Sequence, residues 1–246
     1  MRKIKVRVKN LVKSFGDLLV LDDVSFDVAE GEFMCVVGPT GCGKTTFLNS
    51  LTKLYMPTSG EILVNDEPVD MRKHNISYVF QEKSTMEWLT VEQNVGLGLD
   101  VKHVPAAEKK AAVDEVLEIV GLSKFRNYYP NEISASMLQR VVIARAFATK
   151  PELLLMDEPY GQLDIELRFK LEDELLKLWK KTGTTVLFIT HNIEEAVYLS
   201  EKILVLTNKP TKIKKTLVND LPRPRSVTDP AFIKLRNEVT ELIKWW

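Results

Sequence analysis

Eight consecutive residues, Gly38-Pro39-Thr40-Gly41-Cys42-Gly43-Lys44-Thr45, fit the spacing G-x-x-x-x-G-K-[ST]. Glycines at those places let successive backbone N–H groups turn inward without Cβ clashes, forming a concave anion nest at a helix N-terminus. Such a nest suits a nucleoside triphosphate. Lys44 is placed to reach the β- and γ-phosphates, the Thr45 hydroxyl to coordinate Mg²⁺, and Thr46 to bond the α-phosphate. Further along, the apolar run Leu153-Leu154-Leu155-Met156 ends in Asp157-Glu158. Ligands of open α/β sheets gather at the carboxyl ends of parallel strands. There Asp157 suits a water-mediated Mg²⁺ contact and Glu158 suits polarising an attacking water. An apolar strand ending in Asp-Glu is common by itself. Beside the phosphate loop it makes a nucleoside triphosphate hydrolase the leading class.

These groups need elements to hold them. Residues 33–37 are a short apolar run, the mark of a strand buried on both faces; it stops at the loop and continues as a helical stretch over 45–54. Residues 153–156 and 186–189 repeat the pattern, each followed by polar residues and then helical periodicity. Strands alternating with helices predict an α/β fold, a P-loop NTPase core with a mostly parallel sheet. The alternation Ile4-Lys5-Val6-Arg7-Val8-Lys9 predicts a half-exposed strand, with another around 20–28, in an N-terminal antiparallel β subdomain. Residues 87–148 read as a helical subdomain inserted into that core. In it, 106–120 places Ala111, Val113, Val116, Leu117 and Val120 on one face, and 134–148 is a second amphipathic run. Leu221-Pro222-Arg223-Pro224-Arg225 can extend neither a helix nor a central strand, and links to a last helix over about 229–245. The expected division is a domain over 1–218, with the helical insert at 87–148, and a linker and helix over 219–246.

Bulk properties narrow the partners. Lys plus Arg equals Asp plus Glu at 34 each in 246 residues, which argues against a nucleic-acid partner, since such proteins carry a basic excess. The two cysteines, Cys35 and Cys42, make neither a disulfide framework nor a CxxC metal pair, and imply a reducing compartment. Met1-Arg2-Lys3-Ile4-Lys5 has no apolar stretch behind its charges, so no signal peptide is expected. No run approaches the roughly 20 apolar residues that cross a bilayer, so any membrane role is expected to come through a partner. Cys42, at a helix N-terminus, has either a lowered pKa or the part of an inert small residue. His74 and His103 have no strand or loop context and are expected to be solvated.

Five further features occur in a fixed order around the two already described. Phe15 stands in Val12-Lys13-Ser14-Phe15-Gly16; Gln81 follows a strand over 76–80; Ser134 to Gln139 precede Arg140-Val141-Val142-Ile143-Ala144-Arg145-Ala146; Gly161-Gln162-Leu163-Asp164 follows the acidic pair; His191 follows a strand. In order and spacing the chain resembles, over nearly its full length, the ATP-binding subunits of ABC transporters. The resemblance implies the ABC ATPase fold, ATP with Mg²⁺, and a head-to-tail dimer, either a homodimer or a pair with another ATPase subunit. It implies that Phe15 stacks on adenine and that Gln81 contacts Mg²⁺ or water and reports the γ-phosphate to the helical subdomain. It implies too that His191 donates to a γ-phosphate oxygen, that Ser134 meets the nucleotide held by the other subunit, and that Asp164 carries contacts across the dimer. Integral membrane permease subunits, and indirectly an external solute-binding protein, would be the partners, with the chain peripheral on the cytoplasmic face of the membrane.

One segment departs from the family pattern. The usual signature Leu-Ser-Gly-Gly-Gln is here Ile133-Ser134-Ala135-Ser136-Met137, so both glycines gain a Cβ where backbone approaches phosphate. Three outcomes stay open: tolerated variation, pairing with a different ATPase subunit, or weakened ATP-driven closure. The stretch Trp88-Leu89-Thr90-Val91-Glu92-Gln93-Asn94-Val95 and the Leu221 to Arg225 tail are similar to the nitrate, sulfonate and taurine importer group. Trp88 and Leu89 are candidates for packing on a membrane subunit, or for core packing. The alternatives of other classes are a soluble ABC-type ATPase, a P-loop kinase of small metabolites, and a nucleotide-binding regulator that does not hydrolyse.

Overall fold

The computed structural model describes residues 2–82, 84–161 and 165–244. Along the chain come β1 (Ile4–Phe15), β2 (Leu18–Ala29), β3 (Phe33–Val37), α1 (Lys44–Leu51), β4 (Ser59–Val64) and β5 (Glu67–Pro68). Then come β6 (Ile76–Val79), α2 (Val91–Val101), α3 (Ala106–Ile119), α4 (Ala135–Ala148), β7 (Leu153–Asp157) and α5 (Ile165–Thr182). The chain closes with β8 (Thr185–Ile189), α6 (Ile193–Leu199), β9 (Lys202–Leu206), β10 (Ile213–Val218) and α7 (Pro230–Ile243). Contacts divide it into two compact units, Met1–His74 with Thr185–Trp246, and Asn75–Thr184. The segment 219–246 falls in the first unit; the helices of 87–148 fall in the second, with β6, β7 and α5.

In the first unit β1 runs well past Lys9, where the alternation ends. Asn10 accounts for the extension. It adopts φ 49, and the register with β2 shifts between Val8 and Leu11, so the strand resumes out of phase. Its N–H donates to Ser25 Oγ (2.7 Å) and its side-chain amide to Asp23 Oδ1 (2.7 Å), satisfying groups that the ladder leaves out. The antiparallel sheet has the order β2-β1-β4-β5. Beside it β3, buried at every residue, lies parallel to β8 on one side and β9 on the other, with β10 antiparallel on β9. Such burial on both faces is why β3 reads as an unbroken apolar run. Helix α1 stops at Leu51, short of residue 54, because Lys53 turns left-handed at φ 58 and Leu54 faces solvent.

In the second unit β6 lies parallel to β7. Thr90 caps α2, accepting from Gln93 N–H while the Gln93 side chain returns the bond, a pairing that typically contributes about 1 kcal/mol. Val113, Val116, Leu117 and Val120 are buried as expected, but Ala111 is exposed. Two residues before Val113, it lies about 200° around the helix from that face. His74 is also not solvated. It is 7% exposed, and its Nδ1 accepts from the Asp70 N–H at 3.1 Å inside a turn. His103 is exposed, as expected. No helix among the described residues is long and apolar enough to cross a membrane. The fold is α/β, with parallel core strands, an antiparallel N-terminal sheet and a helical insert.

Arg126 ties α2 to α3 in the second unit, donating to Glu92 (2.8 and 3.0 Å) and Asp114 (2.7 Å). Its hydrogen bond holds Glu92 below the usual carboxylate range; Lys110 first and Arg126 second do the same for Asp114. Folded pKa values below the unfolded ones stabilise the fold above the ordinary carboxylate range, and that contribution is lost as pH falls through the folded values. Arg126→Met should therefore flatten the acid side of the stability profile, below about pH 4.5. Urea midpoints measured against pH would show it; parallel acid slopes in the two proteins would contradict the assignment.

Candidate active site

The phosphate loop leaves the carboxyl end of β3 and enters α1. Gly41 and Gly43 have φ of 76° and 108°, a region L side chains avoid, and a Cβ on Gly43 would lie 2.7 Å from Val20 Cγ1. Lys44 is 6% exposed, and its Nζ donates to the Gly38 and Pro39 carbonyls, both at 3.2 Å. The ammonium is thus gathered into the loop it serves. Pro39, Gly43 and Thr46 are half-buried, Gly38 and Cys42 buried, while Thr40, Gly41 and Thr45 face solvent at the mouth. Thr211 holds the loop from outside. This fully buried residue donates from Oγ1 to the Cys42 carbonyl, while its backbone donates to Val20 O (2.8 Å) and accepts from Asp22 N–H (2.9 Å). Nothing in the sequence around Lys209-Pro210-Thr211 signals that role, because the contact spans 169 positions.

Cys42 does not have the lowered pKa that its position at a helix start suggested. The side chain is 1% exposed, and burial pushes the thiol up, against the opposing charge of Lys44. Desolvation of the thiolate outweighs the terminus. Of the two expectations, the inert small residue fits.

His191 is brought to the same edge as the loop. Val36 of β3 pairs with Ile189 of β8, so Gly38 and His191 both leave the carboxyl ends of adjacent parallel strands. Thr190 N–H donates to Val36 O (3.2 Å), and its hydroxyl accepts from Asn192 N–H (2.9 Å). Asn192 then caps α6, accepting from Glu195 N–H (3.2 Å). His191 itself is exposed. Phe15, at the end of β1, is 43% exposed and so is not core. Its ring meets Tyr55 edge-on at 5.3 Å, and Lys13 Nζ lies 4.6 Å from its centroid.

The second unit repeats the device. Val79 of β6 pairs with Met156 of β7, so Gln81 and the Asp157-Glu158 pair leave the same edge. Asp157 is 3% exposed, Gln81 exposed, Glu158 half-buried. Glu158 adopts φ 45, costly for an L residue and characteristic of functional turns. Tyr160, 1% exposed, pins this turn by donating to Leu171 O (3.2 Å). The segment after Gln81 is pinned twice. Asn94, fully buried, accepts from Met86 N–H (2.8 Å) and donates to the carbonyls of Leu89 (2.9 Å), Thr90 (3.0 Å) and Met86 (3.1 Å). Arg145 of α4 donates to Ser84 O (2.7 Å). Ser134 caps the other end of α4, accepting from Met137 N–H (3.3 Å), and its Oγ lies 2.9 Å from Ser136 Oγ. Ser134 and Phe15 stand on neither strand edge, and Asp164, with Gln162 and Leu163, lies outside the described residues.

Known proteins resemble this chain in sequence and fold. The family described as "ABC transporter" matches residues 21–161. An uncharacterized ABC transporter ATP-binding protein of Methanocaldococcus jannaschii is 41% identical over 246 residues, covering 98% of this chain and 92% of that protein. An aliphatic sulfonates import ATP-binding protein of Bacillus cereus is 40% identical over 237 residues, covering 96% and 93%. Among solved structures, a dimeric bacterial ABC transporter cassette aligns with TM-score 0.76 and 32% identity, over 88% of this chain and 100% of that one. The same cassette is known in a post-hydrolysis state bound to ADP and Pi.

Burial of Cys42 has a chemical consequence. At pH 7.5 iodoacetamide should label it many-fold more slowly in the native chain than in urea, with Cys35 equally protected. Mass spectrometry of timed samples measures this. Rapid native labelling at Cys42 would mean that the loop opens far more readily than its hydrogen bonds indicate.

Proposed function

This chain belongs to the ABC transporter family of ATP-binding proteins, and from that we propose that it hydrolyses MgATP to drive solute import through membrane partner subunits. The observation that carries the reading is the pair of parallel-strand registers. One sets the phosphate loop beside His191, the other sets Gln81 beside Asp157 and Glu158. Gly38 to Thr46 would cradle the phosphates, with Lys44 moving from its two carbonyls to the β- and γ-phosphates. Exposed Phe15 would take the adenine on its open face. Glu158 would orient and polarise the attacking water, and His191 would donate to the γ-phosphate oxygen as charge develops there.

The donors proposed for the metal, the Thr45 hydroxyl, the Gln81 amide and the Asp157 carboxylate, are all hard oxygen groups and fit Mg²⁺. Among the described residues no group of three or more His, Cys, Asp or Glu could hold a metal ion. Mg²⁺ would take its other ligands from phosphate and water, as it prefers. Bound there, it would neutralise charge on the transferred phosphoryl group.

Two such chains would act head to tail, each Ser134 facing the other's nucleotide at the positive end of α4, with Asp164 carrying contacts across. Ala135 and Ser136 weaken that closure in our reading. Each adds a Cβ, and Ser136 Oγ lies 2.9 Å from Ser134 Oγ, where it would compete with the partner's γ-phosphate for that hydroxyl. For the membrane partner, the second unit leaves Phe80, Trp88 and Val101 exposed, at 46%, 74% and 72%. It also opens a groove of about 340 Å³ lined by Tyr78, Leu97, Val101 and Val142, with the charged Lys102 and Arg145 among its walls. Apolar exposure of this kind suits a permease helix, which would keep the chain on the cytoplasmic face. The sulfonate-import relative and the Leu221 to Arg225 tail support a small organic or oxyanionic solute, delivered by an external binding protein.

Glu158→Gln should abolish turnover and bind ATP normally; light scattering then reads closure, a trapped dimer showing a competent composite site and its absence supporting the weakened signature. Retained phosphate release would remove Glu158 from the chemistry. Ala135→Gly combined with Ser136→Gly should raise both the ATPase rate and ATP-dependent dimerisation; an unchanged rate would identify the altered signature as tolerated variation.

A further inference from the structure

The C-terminal segment grips the helix that follows His191. Helix α6 is 7 residues long, too short to hold its own direction, and its last carbonyls lack partners within it. Arg225 supplies them. Its Nη1 donates to Val197 O (2.7 Å), Tyr198 O (2.9 Å) and Ser200 O (2.6 Å). Its Nε and Nη2 bind Leu221 O (3.2 and 3.1 Å), and Nη2 also binds Asn219 O (3.3 Å). Arg223 donates to Tyr198 O (3.0 Å) and Leu199 O (2.5 Å), and Asn219 Nδ2 to Val197 O (2.8 Å). Two guanidinium groups at a helix C-terminus also oppose its dipole favourably. Burial lowers the pKa of both, that of Arg225 to about 10, so the clamp keeps its charge at neutral pH.

Beyond the clamp, α7 packs on α6 and β9, with Phe232 and Val239 buried and Arg236 3.7 Å from Glu194 of α6. At the other end, Thr190 is tied to β3 and Asn192 caps the helix. His191 therefore sits in a turn between a strand end that is fixed and a helix whose direction Arg223, Arg225 and α7 set.

We propose that Arg223 and Arg225, with α7, are positioning residues for His191, aligning it by bracing α6 from behind. This rests on the reading that His191 serves ATP hydrolysis. Steady-state ATPase of the full chain tests it in a cycle of wild type, Arg225→Gln, His191→Ala and the double variant, with nucleotide affinity measured separately. Arg225→Gln should lower kcat about fivefold while ATP affinity changes less than about twofold, and Arg225→Lys should recover part of the loss. The double variant should turn over no more slowly than His191→Ala alone. If the two losses multiply, or if Arg225→Gln is silent while His191→Ala is impaired, the brace does not act through His191 and the proposal falls. If His191→Ala matches wild type, the underlying role of His191 is what fails. Circular dichroism and a melting curve check folding of each variant, and Arg223→Gln, which removes fewer bonds, replaces Arg225→Gln in the cycle if the latter does not fold.

Discussion

A fully buried parallel strand is the constraint from which the rest of the first unit follows. Every side chain of β3 is inaccessible, so its backbone groups must find partners in neighbouring strands, and β8 and β9 supply them on both sides. Parallel pairing then aligns carboxyl ends with carboxyl ends. A polar turn leaving β3 and a polar turn leaving β8 have to emerge together, and these are the phosphate loop and the His191 turn. β6 and β7 impose the same logic on Gln81 and the acidic pair. The candidate groups collect at strand ends because β3, residues 153–156 of β7 and residues 186–189 of β8 are buried and apolar until they stop.

Strand ends alone would leave the turns loose. Each turn that carries a proposed reactive group is held by a buried or half-buried polar side chain. Thr211 fixes the phosphate loop, Asn94 and Arg145 fix the segment behind Gln81, Tyr160 fixes the Glu158 turn, and Arg225 fixes the helix behind His191. All but Tyr160 bind a loop or terminal carbonyl that regular structure leaves without a ladder partner. Desolvating these carbonyls without partners would cost more than the hydrogen bonds return net, which makes the anchors structural obligations rather than optional contacts. Arg145 has a further aspect: it stands on the helix that Ser134 begins, so the Gln81 segment and the signature end of α4 share one rigid element.

Much of this was legible in the residues. The runs at 33–37, 153–156 and 186–189 became strands within a residue of their expected bounds, because a short apolar run between polar turns admits few other structures. Local rules failed where a longer-range term prevailed. The alternation of β1 was lost at Asn10, whose left-handed conformation shifts the phase. Cys42 was judged by its helix terminus, while burial against the loop, invisible in sequence, sets its pKa direction. His74 looked solvated because the turn that buries it is made by Asp70, four residues away. The anchors Thr211, Asn94 and Arg225 left no local signal at all. A carbonyl acceptor has no residue type, so the partner of a backbone anchor cannot be read from composition.

Glu158 adds a consequence for how such a chain changes over time. Its left-handed backbone would be relaxed by glycine or asparagine, which tolerate that conformation far better than glutamate does. Selection for stability alone would therefore push this position away from a carboxylate, toward residues that cannot polarise water. On the role proposed for Glu158, turnover would hold a glutamate there against that pressure. A left-handed glutamate at the end of β7 would then be a record of use written in backbone strain.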